Sequence, residues 1–162
     1  MSRIDTTPVD ILTWILSTLR SELTLSESTC FLATSDLAPA RIPSSSTFVT
    51  VTPSAGEFVI PEQSVGNVTE KWGFRVRVYL RVVRDRAGHD EVRLLDPENG
   101  MFAWKRKVLK ALCGKDVSTW NLRGTIAAAA STPLVWLRGE RGELDFASFA
   151  VDFAADFDWD LS

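Results

Sequence analysis

Residues 72 to 84 read Trp72-Gly73-Phe74-Arg75-Val76-Arg77-Val78-Tyr79-Leu80-Arg81-Val82-Val83-Arg84. From Phe74 to Val82, apolar residues alternate with Arg75, Arg77, Tyr79 and Arg81. This period of two sends successive side chains to opposite faces of a pleated strand. One face is committed to a hydrophobic interior and the other to something polar. A strand of this length needs paired neighbours and an apolar cover from the surrounding chain.

Downstream, Asp85-Arg-Ala-Gly-His-Asp90 has the glycine and short polar residues of a turn, and Glu91-Val-Arg-Leu-Leu95 continues or returns from the strand. Asp96-Pro-Glu-Asn-Gly100 resets the chain. Met101, Trp104, Val108 and Leu112 then recur at three and four positions, the mark of a helix with one buried side and Gly114 as its stop. Lys105, Arg106, Lys107 and Lys110 lie elsewhere on that helix. Upstream, Ile11, Leu12, Ile15, Leu16, Leu19 and Leu23 predict an amphipathic helix over 9–25. A loop rich in Pro and Ser follows it. Thr47-Phe-Val-Thr-Val-Thr-Pro53 predicts a short strand ending at its proline, with Phe58-Val-Ile60 a brief second one. After Trp120 the chain returns to strands at 120–126, 134–138 and 144–153, the last two joined across Gly139-Glu-Arg-Gly142 as in a hairpin. The expected fold is α+β, a central, mainly antiparallel mixed sheet with flanking helices. Residues 1–162 are expected to form one domain, with a flexible acidic tail over 154–162.

Composition agrees with a globular chain. Of 162 residues, 45% are hydrophobic, with six Trp and nine Phe, enough apolar surface to offset the entropy of ordering. No apolar stretch approaches the roughly 18–20 residues that span a bilayer, and Met1-Ser-Arg-Ile-Asp lacks a secretory leader, so a cytosolic protein with no membrane partner is expected. Cys30 and Cys113 stand far apart without companions at metal-ligand spacing, which predicts reduced, buried thiols. The formal charge of −3 is unevenly laid out. Residues 1–70 hold three basic and eight acidic side chains, 71–123 hold thirteen and six, and 124–162 hold two and seven. A cationic middle between anionic flanks suits a nucleic-acid surface, and equally suits identical subunits that meet through unlike faces.

Catalytic patterns are missing. His89, the single histidine, falls in the turn after the strand, and no Gly-x-Ser-x-Gly elbow accompanies it. Asp85, Asp90 and Glu91 lack the order of a calcium loop, and the glycines match neither a dinucleotide nor a triphosphate cradle. Asp156, Asp158 and Asp160 carry no sign of the fixed separation that glycoside hydrolysis needs. No enzyme activity, cofactor or metal is therefore expected. The informative residues are Arg75, Arg77, Tyr79 and Arg81 on the strand, with Lys105, Arg106, Lys107 and Lys110 on the helix. Guanidinium forks beside an aromatic ring can grip phosphate and stack a base, or face a neighbouring protein. The acidic total and the lack of a nucleic-acid signature favour the protein interface, with a small nucleic-acid-binding module as the alternative.

The order of elements resembles the tail-terminator, or tail-completion, proteins of the bacteriophage neck. The resemblance is carried by the helix Val9-Asp-Ile-Leu-Thr-Trp-Ile-Leu-Ser-Thr-Leu19, the strand Thr47-Phe-Val-Thr-Val-Thr-Pro53, the long strand from Trp72 and the helix ending Val108-Leu-Lys-Ala-Leu-Cys-Gly114. It covers about residues 8–115 and is one of pattern and order. It implies a non-enzymatic subunit, without cofactor, that forms a ring with six copies as one candidate number. Such a ring caps the tail tube and joins it to the head-connector protein, and nucleic acid meets it only in passing through the lumen. The implied location is the virion or phage-like particle, and the host cytoplasm during assembly.

Overall fold

A computed structural model of the chain describes residues 8–34, 43–60, 66–82, 95–115, 122–133, 135–138 and 145–160. In chain order the elements are α1 (Pro8–Glu22), β1 (Cys30–Leu32), β2 (Thr47–Phe58), β3 (Asn67–Val82), α2 (Met101–Leu112), β4 (Leu122–Ser131), β5 (Val135–Arg138) and β6 (Asp145–Asp160). The six strands form one mixed sheet in the order β1-β2-β3-β6-β4, with β5 also on β6. Only β1 and β2 run parallel. The chain is an α+β protein.

The sheet is organised by β3 and β6, whose sixteen residues pair without a break from Asn67 opposite Asp160 to Val82 opposite Asp145. The alternation of β3 puts Trp72, Phe74, Val76, Val78 and Leu80 in the core, and β6 answers from the same face with Ala155, Phe153, Val151, Phe149 and Ala147. The rings of Phe74 and Phe153 stack at 5.4 Å and 14°. Onto this face α1 lays Ile11, Ile15 and Leu19, and α2 lays Met101, Trp104, Val108, Ala111 and Leu112. Both helices bury the stripe that their three-and-four spacing marks out.

Three expectations are corrected. First, β2 does not stop at Pro53 but continues to Phe58, with Pro53 opposite Phe74 and a bulge between Ser54 and Glu57. Val49 N donates to Thr29 O and Ala33 N donates to Val51 O, so the backbone groups of Val49 and Val51 face β1. Two residues on, the Pro53 nitrogen points to the same side, beyond the last β1–β2 pair, where no ladder donor is needed. Second, Cys113 is exposed, whereas Cys30 is buried as expected. Third, the acidic end from 154 is the last part of β6 and pairs with β3 through Asp160. Its Ala155, Phe157 and Trp159 alternate with Asp156 and Asp158 in the period of a half-buried strand, and Phe157 is fully buried. The segment 91–94, His89 and the turn 139–142 lie outside the described residues.

β4 is longer than expected, running through the alanines to Ser131. It and β5 divide the free edge of β6 between them, and Thr132 closes the join by donating its N–H to Ala150 O and accepting Ala150 N–H at its hydroxyl. Gly114, at φ 74°, turns the chain out of α2, and its N–H donates to Ile126 O. Phe153→Ala should cost about 3–5 kcal/mol in urea unfolding, because it opens a cavity beneath Phe74. Asp156→Ala, on the opposite and exposed face, should stay within about 0.5 kcal/mol of the parent.

Candidate interaction surface

The second face of the sheet collects the residues that the strand alternation singled out. Along β3 it presents Arg81, Tyr79, Arg77 and Arg75, and their register partners are Phe146, Ser148, Ala150 and Asp152 on β6 and Phe48, Thr50 and Thr52 on β2. Arg75 reaches Asp152 as a fork, Nε to Oδ1 at 2.6 Å and Nη2 to Oδ2 at 3.0 Å. This planar two-bond geometry is the strongest form of a carboxylate pair. Arg77 is 2% exposed and donates to Ser148 Oγ at 3.0 Å. Tyr79 is 1% exposed, its ring stacked on Phe48 at 4.3 Å and met by the edge of Phe146 at 6.4 Å. Phe31 continues the stack beyond Phe48. Arg81 is half-buried.

The basic residues of α2 lie elsewhere. α2 packs on the core face, so its cations and the β3 arginines stand on opposite sides of the sheet. Lys105 Nζ donates to Ser131 Oγ at 3.1 Å, and Lys107 Nζ donates to Glu98 O at 2.7 Å while sitting 4.8 Å from the Trp104 ring centre. Arg106 and Lys110 are exposed and have no ion-pair partner among the described residues. Phe102 precedes them by four and eight positions on the same helix face and is 66% exposed. The sequence reading missed this phenylalanine; an apolar residue at helical spacing from two cations, outside the buried stripe, was the available signal.

Two groups on the polar strand face are left unsatisfied. The buried hydroxyls of Thr50 and Thr52, opposite Arg77 and Arg75, find no hydrogen-bond partner among the described residues. Burial without a partner costs about 1–3 kcal/mol per group. Elsewhere, burial raises the Cys30 thiol from 9.0 to about 11, with the Arg20 guanidinium pulling weakly the other way. That guanidinium donates from Nε and Nη2 to Cys30 O at 3.0 and 2.9 Å. Among the described residues no group of three His, Cys, Asp or Glu is placed to hold a metal ion, and no helix is long and apolar enough to cross a membrane.

No protein-family model matches the chain, and no curated protein matches it. Among solved structures, it is similar to a chain in the virion of a native gene transfer agent (GTA) particle, at 16% sequence identity and a TM-score of 0.40, over 88% of this chain and 91% of that one.

Thr50→Val should leave the melting temperature unchanged or raised, since an isosteric methyl replaces a buried hydroxyl without a partner. Asp152→Ala should cost about 1–2 kcal/mol, because it strips a half-buried guanidinium of its fork. Calorimetry on both variants checks the contrast. The thiol predicts a pH effect. The unfolded chain releases the Cys30 proton near 9 and the folded chain near 11, so this stabilising contribution is whole below pH 9 and is lost as pH rises to 11. Cys30→Ala should flatten that part of the alkaline decline. A maleimide should label Cys113 in the native protein and Cys30 only after unfolding.

Proposed function

We propose that the chain is a non-enzymatic assembly subunit of a virion or phage-like particle, and specifically a ring-forming tail terminator that caps the tail tube and joins it to the head. The observation that carries this reading is the outer face of α2, where Phe102, Arg106 and Lys110 stand exposed, the two cations without an ion-pair partner among the described residues. An exposed aromatic beside two cations with no ion-pair partner among the described residues supports a contact surface there, aromatic and arginine side chains being enriched in interfaces. The helix, strand, long strand and helix of the tail-terminator resemblance correspond to α1, β2, β3 and α2 in the same order.

The placement of the arginines shapes the proposed interface. Arg77 and Tyr79 are spent inside the subunit, holding β6 and the aromatic stack, and Arg75 is engaged by Asp152. The contact with neighbours then falls to Arg106, Lys107 and Lys110, with Lys105 at its margin, whereas Arg81, half-buried on the other side of the sheet, lies apart from it. Tail-tube and head-connector proteins are the proposed partners beyond the ring itself. The chain would work in the host cytoplasm during assembly and in the particle afterwards.

Light scattering coupled to size exclusion tests the proposal. From micromolar to millimolar protein, the mass should be a fixed multiple of the 18.0 kDa subunit. A mass of 18.0 kDa at every concentration, with and without tail-tube protein, would contradict it. A monomer that binds DNA with an affinity falling steeply as salt rises would instead favour the nucleic-acid module, through counterion release.

A further inference from the structure

A ring requires two different surfaces on each subunit that fit one another, and they must lie on different sides of it. The outer face of α2 supplies one. α2 packs against β3, β6 and β4, which is the β4 side of the sheet. The other side of the sheet ends in β1 and β2, and β1 covers β2 only as far as Val51. Beyond that point the outer margin of β2 has no strand partner among the described residues. Val59 N still donates to Thr69 O, which keeps the segment attached to β3.

That margin carries exposed apolar and acidic side chains. Phe58 is 52% exposed and Ile60 is 77% exposed. Glu57, between the bulge and Phe58, is exposed and makes no ion pair among the described residues. Lys71 is opposite it in register and also stands opposite Asp156. The margin is therefore apolar and acidic where the α2 face is apolar and basic.

Pro53 and the bulge at Ser54/Glu57 interrupt the outer backbone of β2, which blunts it as a template for another strand. Docking there must use side chains, and a helix face suits that. Gly56 lies in the bulge, where a Cβ would meet the Glu70 side chain, whose Oε2 accepts the Trp159 indole N–H at 2.7 Å.

We infer that the α2 face of one copy, through Phe102, Arg106 and Lys110, seats on the β2 margin of the next copy, at Glu57, Phe58 and Ile60. The inference rests on the ring reading and names its contact. Phe102 supplies an aromatic anchor against Phe58 and Ile60, and Arg106 and Lys110 meet Glu57. Unlike charges at the rim fix the register and reject the reverse pairing, in which cation would face cation.

Charge exchange tests this contact separately from the ring itself. Arg106→Glu with Lys110→Glu, and separately Glu57→Lys, should each raise the concentration at which the assembly falls apart at least tenfold, with melting of the dilute subunit unchanged. Combining all three substitutions in one chain should restore much of the loss. A double variant that assembles like the parent overturns the contact and leaves the ring standing, whereas a monomeric parent overturns the ring. Cross-linking covers the case of a variant that fails to fold. With Cys113→Ser as background, Ile60→Cys and Phe102→Cys together should give a ladder of covalent multimers on oxidation, and either alone should not pass the dimer. Full assembly without a ladder overturns the contact.

Discussion

Sixteen consecutive residue pairs between β3 and β6 hold the rest of the molecule in place. β3 and β6 are far apart in sequence, so closing the loop between them has an entropic cost that only a long, uninterrupted ladder recovers. Once the ladder is closed, alternation decides everything perpendicular to it. The core face takes both helices, and the opposite face gathers the polar half of each strand. β2 extends the ladder on one side, and β4 with β5 extends it on the other.

The same pairing decides what the polar face can do. In the sequence, Arg75, Arg77 and Tyr79 stand out as a surface awaiting a partner. In the fold, β6 brings that partner along: Asp152 opposite Arg75, and Ser148 within hydrogen-bond reach of Arg77. A buried arginine without such groups would be strongly destabilising, and with them it pins the register of the two strands. Among the described residues, exposed apolar and charged surface without an ion-pair partner lies instead on the outer side of α2 and along the open end of β2. These are separate in space, unlike in charge and similar in apolar content, which are the properties a repeating head-to-tail contact needs.

Much of the architecture was legible from spacing alone. α1, α2 and the central part of β3 follow from the periodicity of their apolar residues, and the Asp96 turn from its Pro, Asn and Gly. Three features were harder, each for a physical reason. Pro53 reads as a strand end because it lacks a donor, yet the pleat happens to aim its nitrogen at an unpaired edge. The alanines of β4 have little preference for strands, and β6 imposes the conformation on them. Asp152, Asp156 and Asp158 make the end of the chain read as a solvated tail by charge, although the alternation with Phe153, Ala155, Phe157 and Trp159 is the same period of two that identified β3. For the proposed interaction surface, composition points to basic residues on β3 and α2, but only the long-range pairing separates the arginines that are engaged internally from the cations exposed on α2.

Hydrogen exchange on dilute and on assembled protein tests the account most directly. The amides of β3 and β6, including those of 154–160, should be the slowest in both states, and assembly should add protection only around 57–60 and along 102–113. An end of the chain that exchanges freely in the dilute protein and becomes protected only on assembly would mean that residues 154–160 are a docking arm rather than the last seven pairs of the central ladder, and the account would fail.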